Sequence, residues 1–162
     1  MFSGQQIQGL LDEIGTTHIV WLPDSTLGQW ESQLQDQADR PLITVCREGE
    51  AWAIAAGLHL GGAQPIVLIQ CTGLFESGDA LRNAVHDYGL PLSALIGYRS
   101  YLSDATLPGD TARKFAEPVL RAWELDYLLV TDAGQLPQMA QHYRTCRAQQ
   151  QPGFVLLAEG KA

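Results

Sequence analysis

Residues 41–60 read PLITVCREGEAWAIAAGLHL. A β-branched apolar run, PLITVC (41–46), gives way at Arg47, Glu48, Gly49 and Glu50 to a stretch whose Ala51, Ile54, Ala55 and Leu58 recur at helical spacing. This is a strand, a turn and a helix, and the rest of the chain repeats it. Further strand-like runs are HIVWL (18–22), PIVLIQC (65–71), LSALIGY (92–98), DYLLV (126–130) and GFVLLAE (153–159). Helices are expected near 4–14, 26–37, 49–60, 77–88, 111–124 and 135–149. Such alternation predicts a three-layer α/β/α sandwich around a mostly parallel six-stranded sheet, with right-handed crossovers.

Local signals punctuate the pattern. Ser3 stands before the first helix and Gly15 after it, Ser25 is a candidate N-cap, Gly61 and Gly62 close the third helix, and Asp132 precedes the last. Pro118 falls inside the fifth helix and is expected to kink it or delay its start. With 162 residues and no linker or repeat, the chain reads as one domain over 1–162, enough to bury roughly 70% of its unfolded surface.

A formal charge of −8, with only ten Lys plus Arg, argues against a binder of nucleic-acid phosphates. The start MFSGQQIQ has no basic segment leading into an apolar one, and no apolar run reaches the roughly eighteen residues of a membrane helix, so a cytoplasmic chain is expected. Cys46, Cys71 and Cys146 form an odd set without metal-ligand spacing, and the first two are expected to pack as small hydrophobes.

In an open parallel sheet the ligand crevice lies beyond the carboxyl ends of the strands. Here those ends are residues 23–25, 47–50, 70–76, 99–110 and 131–132. Glu48 and Glu50 are two apart, so on a helix their side chains diverge by about 200° and cannot share a task. Either both are first-turn acids complementing the helix dipole, or Glu48 projects into the crevice, its proton affinity raised by burial or lowered by Arg47. In IQCTGLFESGDALRN (69–83), Gly73 permits a turn, and Glu76 or Ser77 is a candidate cap. The chain has neither GxGxxG nor a P-loop. Asp24 and Ser25 in PDSTL (23–27) suit capping, and the polar stretch 99–110 is long for a connection, either a lid or a merely decorative loop.

Taken together, these residues resemble the pyrimidine-binding (PYR) domain of thiamine diphosphate enzymes, a flavodoxin-like fold. The resemblance is strongest to the separate α chain of the sulfopyruvate and phosphonopyruvate decarboxylase group. Glu48, Ala51 and Gly57 match the family's catalytic Glu and the small residues that follow it, which selects Glu48 over Glu50. The likeness continues through PDSTL (23–27), LGGAQPIVLIQCTGL (60–74), DALRN (79–83), LPL (90–92) and IGYRS (96–100). Two departures stand out. Glu76 and Asp79 occupy positions where relatives commonly carry Asn, and the loop LSDATLPGD lacks the His often found there.

The resemblance implies a mechanism. Glu48 hydrogen-bonds N1′ of the cofactor's aminopyrimidine and favours its imino tautomer, which removes the thiazolium C2 proton; decarboxylation of a small 2-oxo acid follows. Gln70, Thr72, Gly73 and Leu74 would flank the pyrimidine, and Asp24 and Ser25 would face the substrate. The GDG motif with which this family holds diphosphate through Mg²⁺ is absent from the sequence. The resemblance therefore implies a separate β subunit carrying metal and diphosphate, in a hetero-oligomer to which Trp52 would contribute either interface or core. A carboligase subunit is the neighbouring alternative; a non-catalytic flavodoxin-like module, with Glu48 a plain helix-start acid, is the distant one.

Overall fold

The computed structural model describes residues 2–25, 27–35, 37–103 and 109–160. Residues 104–108 of the expected lid, and positions 26 and 36 of the second expected helix, lie outside the described residues.

Six strands form one sheet: β1 (His18–Trp21), β2 (Leu42–Thr44), β3 (Pro65–Gln70), β4 (Ser93–Tyr98), β5 (Tyr127–Val130) and β6 (Gly153–Ala158). Their order is β2-β1-β3-β4-β6-β5, and all pairings are parallel. The helices are α1 (Gly4–Glu13), α2 (Glu31–Gln35), α3 (Glu48–Leu60), α4 (Cys71–Arg82), α5 (Thr111–Ala122) and α6 (Leu136–Ala148).

Strand side chains alternate between two faces, and here both are covered. Ile66 and Leu68 of β3 join a core with Ile7 and Leu11 of α1, Leu34 of α2 and Met139 of α6. Val67 and Ile69 join the opposite core with Trp52 of α3, Leu81 of α4 and Leu120 of α5. Every residue of β3 and β6 is buried, which is why those strands read as unbroken apolar runs.

The caps follow the sequence in part. Ser3 and Gln6 close a capping box, Gly15 takes φ +67°, and Gly62 takes φ +89° beyond the C-cap Gly61 of α3. Ser25 is not the N-cap after β1. Asp24 takes that role, its Oδ1 accepting the Leu27 amide at 2.9 Å, and the expected helix over 26–37 is a 3₁₀ turn, Leu27–Trp30, running into the short α2. α5 continues through Pro118, which lies on its exposed side, where water can take the carbonyl that the proline cannot serve.

The largest departure is α4. It starts directly after β3 at Cys71 rather than at Ser77, breaks at Gly78 (φ +25°, ψ −104°), and continues beyond Arg82 as a π-helical turn, Asn83–Asp87. The residues expected to form a loop, Thr72 to Glu76, are therefore its first turns. Neither Glu76 nor Ser77 is an N-cap.

Candidate active site

The chain places β2 on one side of β1 and then crosses to place β3 on the other. The carboxyl ends of β1 and β3 thus diverge into a crevice at the point where strand order reverses, the position at which open α/β sheets bind ligands. The turns beside it are β2 to α3, bearing Glu48, and β3 to α4, bearing Gln70 and Thr72.

Three acids meet at the start of α3, and two of them are engaged locally. Glu50 reaches back, its Oε2 accepting the Cys46 amide at 3.2 Å. Glu76 approaches from α4: its Oε1 accepts Arg47 Nε at 2.8 Å and Nη2 at 2.6 Å, and its Oε2 accepts the Gly49 amide at 2.8 Å. The Gly49 N–H, followed by the Arg47 guanidinium, holds the Glu76 carboxyl below the usual carboxylate range. Arg47 therefore pairs with Glu76, not with Glu48.

Glu48 is the third acid. It is the first residue of α3 and half-buried, and among the described residues no hydrogen bond or ion pair reaches its carboxylate. Its side chain lies on Gly73 of α4. A Cβ at that glycine would stand 2.5 Å from Glu48 Cγ, 2.6 Å from Oε1 and 2.8 Å from Cδ. Glycine at 73 thus answers a close approach rather than the turn its sequence suggested. Glu48 is held sideways against α4 while its polar atoms stay uncommitted.

The remaining candidates occupy graded positions around this pair. Gln70, the last residue of β3, is buried, and its Oε1 accepts the hydroxyl of the exposed Thr72 at 3.1 Å. Leu74 is wholly buried in the core shared by α3, α4 and α5. Asp24 serves as the cap already described, and Ser25 is exposed. Trp52 belongs to the core: it is fully buried and packs on Phe154, with ring centroids 5.8 Å apart.

Profiles of known protein families give no match to the chain. Individual proteins do. The α subunit of sulfopyruvate decarboxylase from Methanococcus maripaludis is 29% identical over 139 residues, covering 80% of this chain and 83% of that subunit. Phosphonopyruvate decarboxylase from Streptomyces hygroscopicus is 31% identical over 100 residues, covering 61% of this chain and 25% of that enzyme. The chain is similar in sequence to sulfopyruvate decarboxylase α subunits.

In structure, the chain superposes on benzoylformate decarboxylase from Polynucleobacter necessarius with TM-score 0.70 at 20% identity. It superposes on the thiamine diphosphate-dependent 4-hydroxybenzoylformate decarboxylase of Rhodococcus jostii with TM-score 0.67 at 17% identity. Each superposition covers 96% of this chain but 29% of the neighbour. The fold is that of a PYR domain, and the chain spans under a third of those structural neighbours.

The residues present fit an aminopyrimidine. A ring nitrogen needs a carboxyl partner, and Glu48 offers one at the switch point, beside a glycine whose missing Cβ leaves the room it occupies. Among the described residues no group of three or more His, Cys, Asp or Glu is placed to hold a metal. The two acids that depart from the expected pattern, Glu76 and Asp79, have local partners. Glu76 clamps the start of α3, while Asp79 pairs with Arg82 at 2.7 Å and accepts Asn83 Nδ2 at 2.9 Å.

Sequence reasoning missed two features. Glu76 is a clamp because α3 and α4 pack side by side, a contact between residues 29 apart that no local signal encodes. Glu159, just past β6, is a buried carboxylate lying over Gly97 of β4. Burial, with added repulsion from Glu159 and Asp110, pushes the Cys71 thiol up to about 11, so it stays protonated and packs as the small hydrophobe expected, whereas Cys46, expected to pack likewise, is exposed.

Proposed function

We propose that the chain is the α subunit of a two-chain thiamine diphosphate-dependent 2-oxo acid decarboxylase of the sulfopyruvate and phosphonopyruvate type. On this reading residues 1–162 are one PYR domain, acting in the cytoplasm, and Glu48 is its catalytic residue. The observation that carries the reading is the division of labour at the α3 start: Glu50 and Glu76 are engaged with backbone amides, while Glu48 lies at the switch point with its carboxylate unengaged.

Thiamine diphosphate, when bound, supplies a nucleophilic carbon and an electron sink for loss of carbon dioxide. The chain's own contribution is to bind and orient the pyrimidine half. Glu48 holds or releases a proton at N1′. Gln70, Thr72 and Gly73 border the ring, Leu74 backs them from the core, and Asp24 and Ser25 face the substrate.

Diphosphate and Mg²⁺ fall to a β subunit. Supporting this are the lack of GDG in the sequence and the character of α3. From Ala51 to Leu58 that helix carries no polar side chain, yet Ala53, Gly57 and Leu60 are exposed in the single chain. An apolar helix with an uncovered face fits a subunit of a hetero-oligomer.

Glu48→Gln keeps the shape of the side chain and removes the exchangeable acid. In the co-purified α and β assembly it is expected to lower turnover of 2-oxo acids by about 10²- to 10⁴-fold. Wild-type turnover in that variant overturns the reading.

A further inference from the structure

Glu48 and Trp52 are four apart on α3, and Gly73 and Ser77 are four apart on α4, so each pair stacks on one face of its helix. The two faces meet rung to rung. Glu48 lies on Gly73, and Trp52 Nε1 donates to Ser77 Oγ at 2.7 Å. Ser77 Oγ in turn donates to the Gly73 carbonyl at 2.6 Å. The direction of this relay is fixed by chemistry. An indole N–H can only donate, so the Ser77 hydroxyl must accept from it, and its single proton goes to Gly73. Trp52 and Ser77 are both buried, so no water competes for either bond.

The relay ends on the peptide that seats Glu48. Helical geometry breaks at Gly78, the residue after Ser77, and the side-chain tie from α3 crosses to α4 just before that break. Clearance between Glu48 and Gly73 is too small for one methyl group, and a small displacement of the Gly73 turn therefore redirects the carboxyl.

We propose that Ser77, oriented by Trp52, is a positioning residue for Glu48, fixing the Gly73 peptide against which the carboxyl is aimed at the pyrimidine. This rests on the reading of Glu48 given above, and the test separates the two.

The bond itself is read in the full-length chain alone, from the Trp52 indole N–H resonance in nitrogen-15 spectra, assigned by its loss in Trp52→Phe. Ser77→Ala is expected to move that resonance upfield with the far-ultraviolet dichroism unchanged. In the assembly with its β subunit, two readouts follow: thiamine diphosphate affinity by calorimetry, and exchange of the cofactor's C2 proton for deuterium. Both Ser77→Ala and Trp52→Phe are expected to slow exchange about ten- to a hundredfold and to weaken affinity in parallel. The double variant should be no worse than the more severe single, because both break one relay. Should Ser77→Ala fail to fold, Trp52→Phe carries the same expectation. Glu48→Gln is the reference. If it slows exchange while Ser77→Ala and Trp52→Phe exchange at the wild-type rate, the positioning role is overturned and the reading of Glu48 stands. If Glu48→Gln itself exchanges at the wild-type rate, that reading falls and this inference with it.

Discussion

At Glu76 a single carboxylate joins the starts of two helices, one oxygen on Arg47 and the other on the Gly49 amide. The Arg47 guanidinium is 78% exposed, so the ion pair contributes little after solvent screening; the amide bond at the helix N-terminus is the larger part. Because the folded-state pKa of Glu76 is lowered, its contribution is fully present above the ordinary carboxylate range and is lost as pH falls through the lowered folded value. Glu76→Gln should therefore destabilise the chain at pH 7 and flatten the acid limb of its stability profile. Urea melts between pH 7 and pH 3 check this, and an unchanged slope for the variant would contradict it. Sequence spacing separated Glu48 from Glu50, and the family likeness chose between them. It did not assign Glu76, whose partners lie on another helix and depend on tertiary packing.

Among the elements, the pairing of α3 with α4 governs the site. The sequence marked α3 almost to the residue, because small apolar residues at helical spacing follow a polar turn. It misplaced the start of α4: Cys71, Thr72 and Gly73 are poor helix formers, and their helicity comes from packing against α3 rather than from propensity. The misreading hid the role of Gly73, a glycine in the first turn of a helix that would otherwise favour alanine. Gly73→Ala tests that role. The added methyl should improve helix propensity yet strike the Glu48 side chain, which can swing toward solvent because Glu48 is only half-buried. The expected result is a melting temperature within a few degrees of wild type and turnover in the assembly reduced about a hundredfold. Turnover equal to wild type would show that the close approach does not aim Glu48.

For the whole molecule, alternation of apolar runs and amphipathic stretches was enough to predict the layered sandwich, and the sheet is parallel throughout. Runs such as PIVLIQ read clearly because both faces of β3 are covered. Edge strand β2 read less well: six residues were expected and three are paired, since an edge has one neighbour to hold its ends. Strand order was not legible from local pattern, yet it is what brings the turn bearing Glu48 beside the turn bearing Gln70. The uncovered apolar face of α3 likewise belongs to this scale, since on the proposed reading a second chain covers it. The central claim joins all three scales, placing one carboxylate at one switch point toward one half of a cofactor. It is tested most directly by the structure of the α and β assembly with thiamine diphosphate bound. Glu48 should lie about 2.6–3.2 Å from N1′ of the aminopyrimidine, with Glu76 still on Arg47 and Gly49. Glu50 or Glu76 at that distance, or a pyrimidine bound elsewhere, would contradict the account.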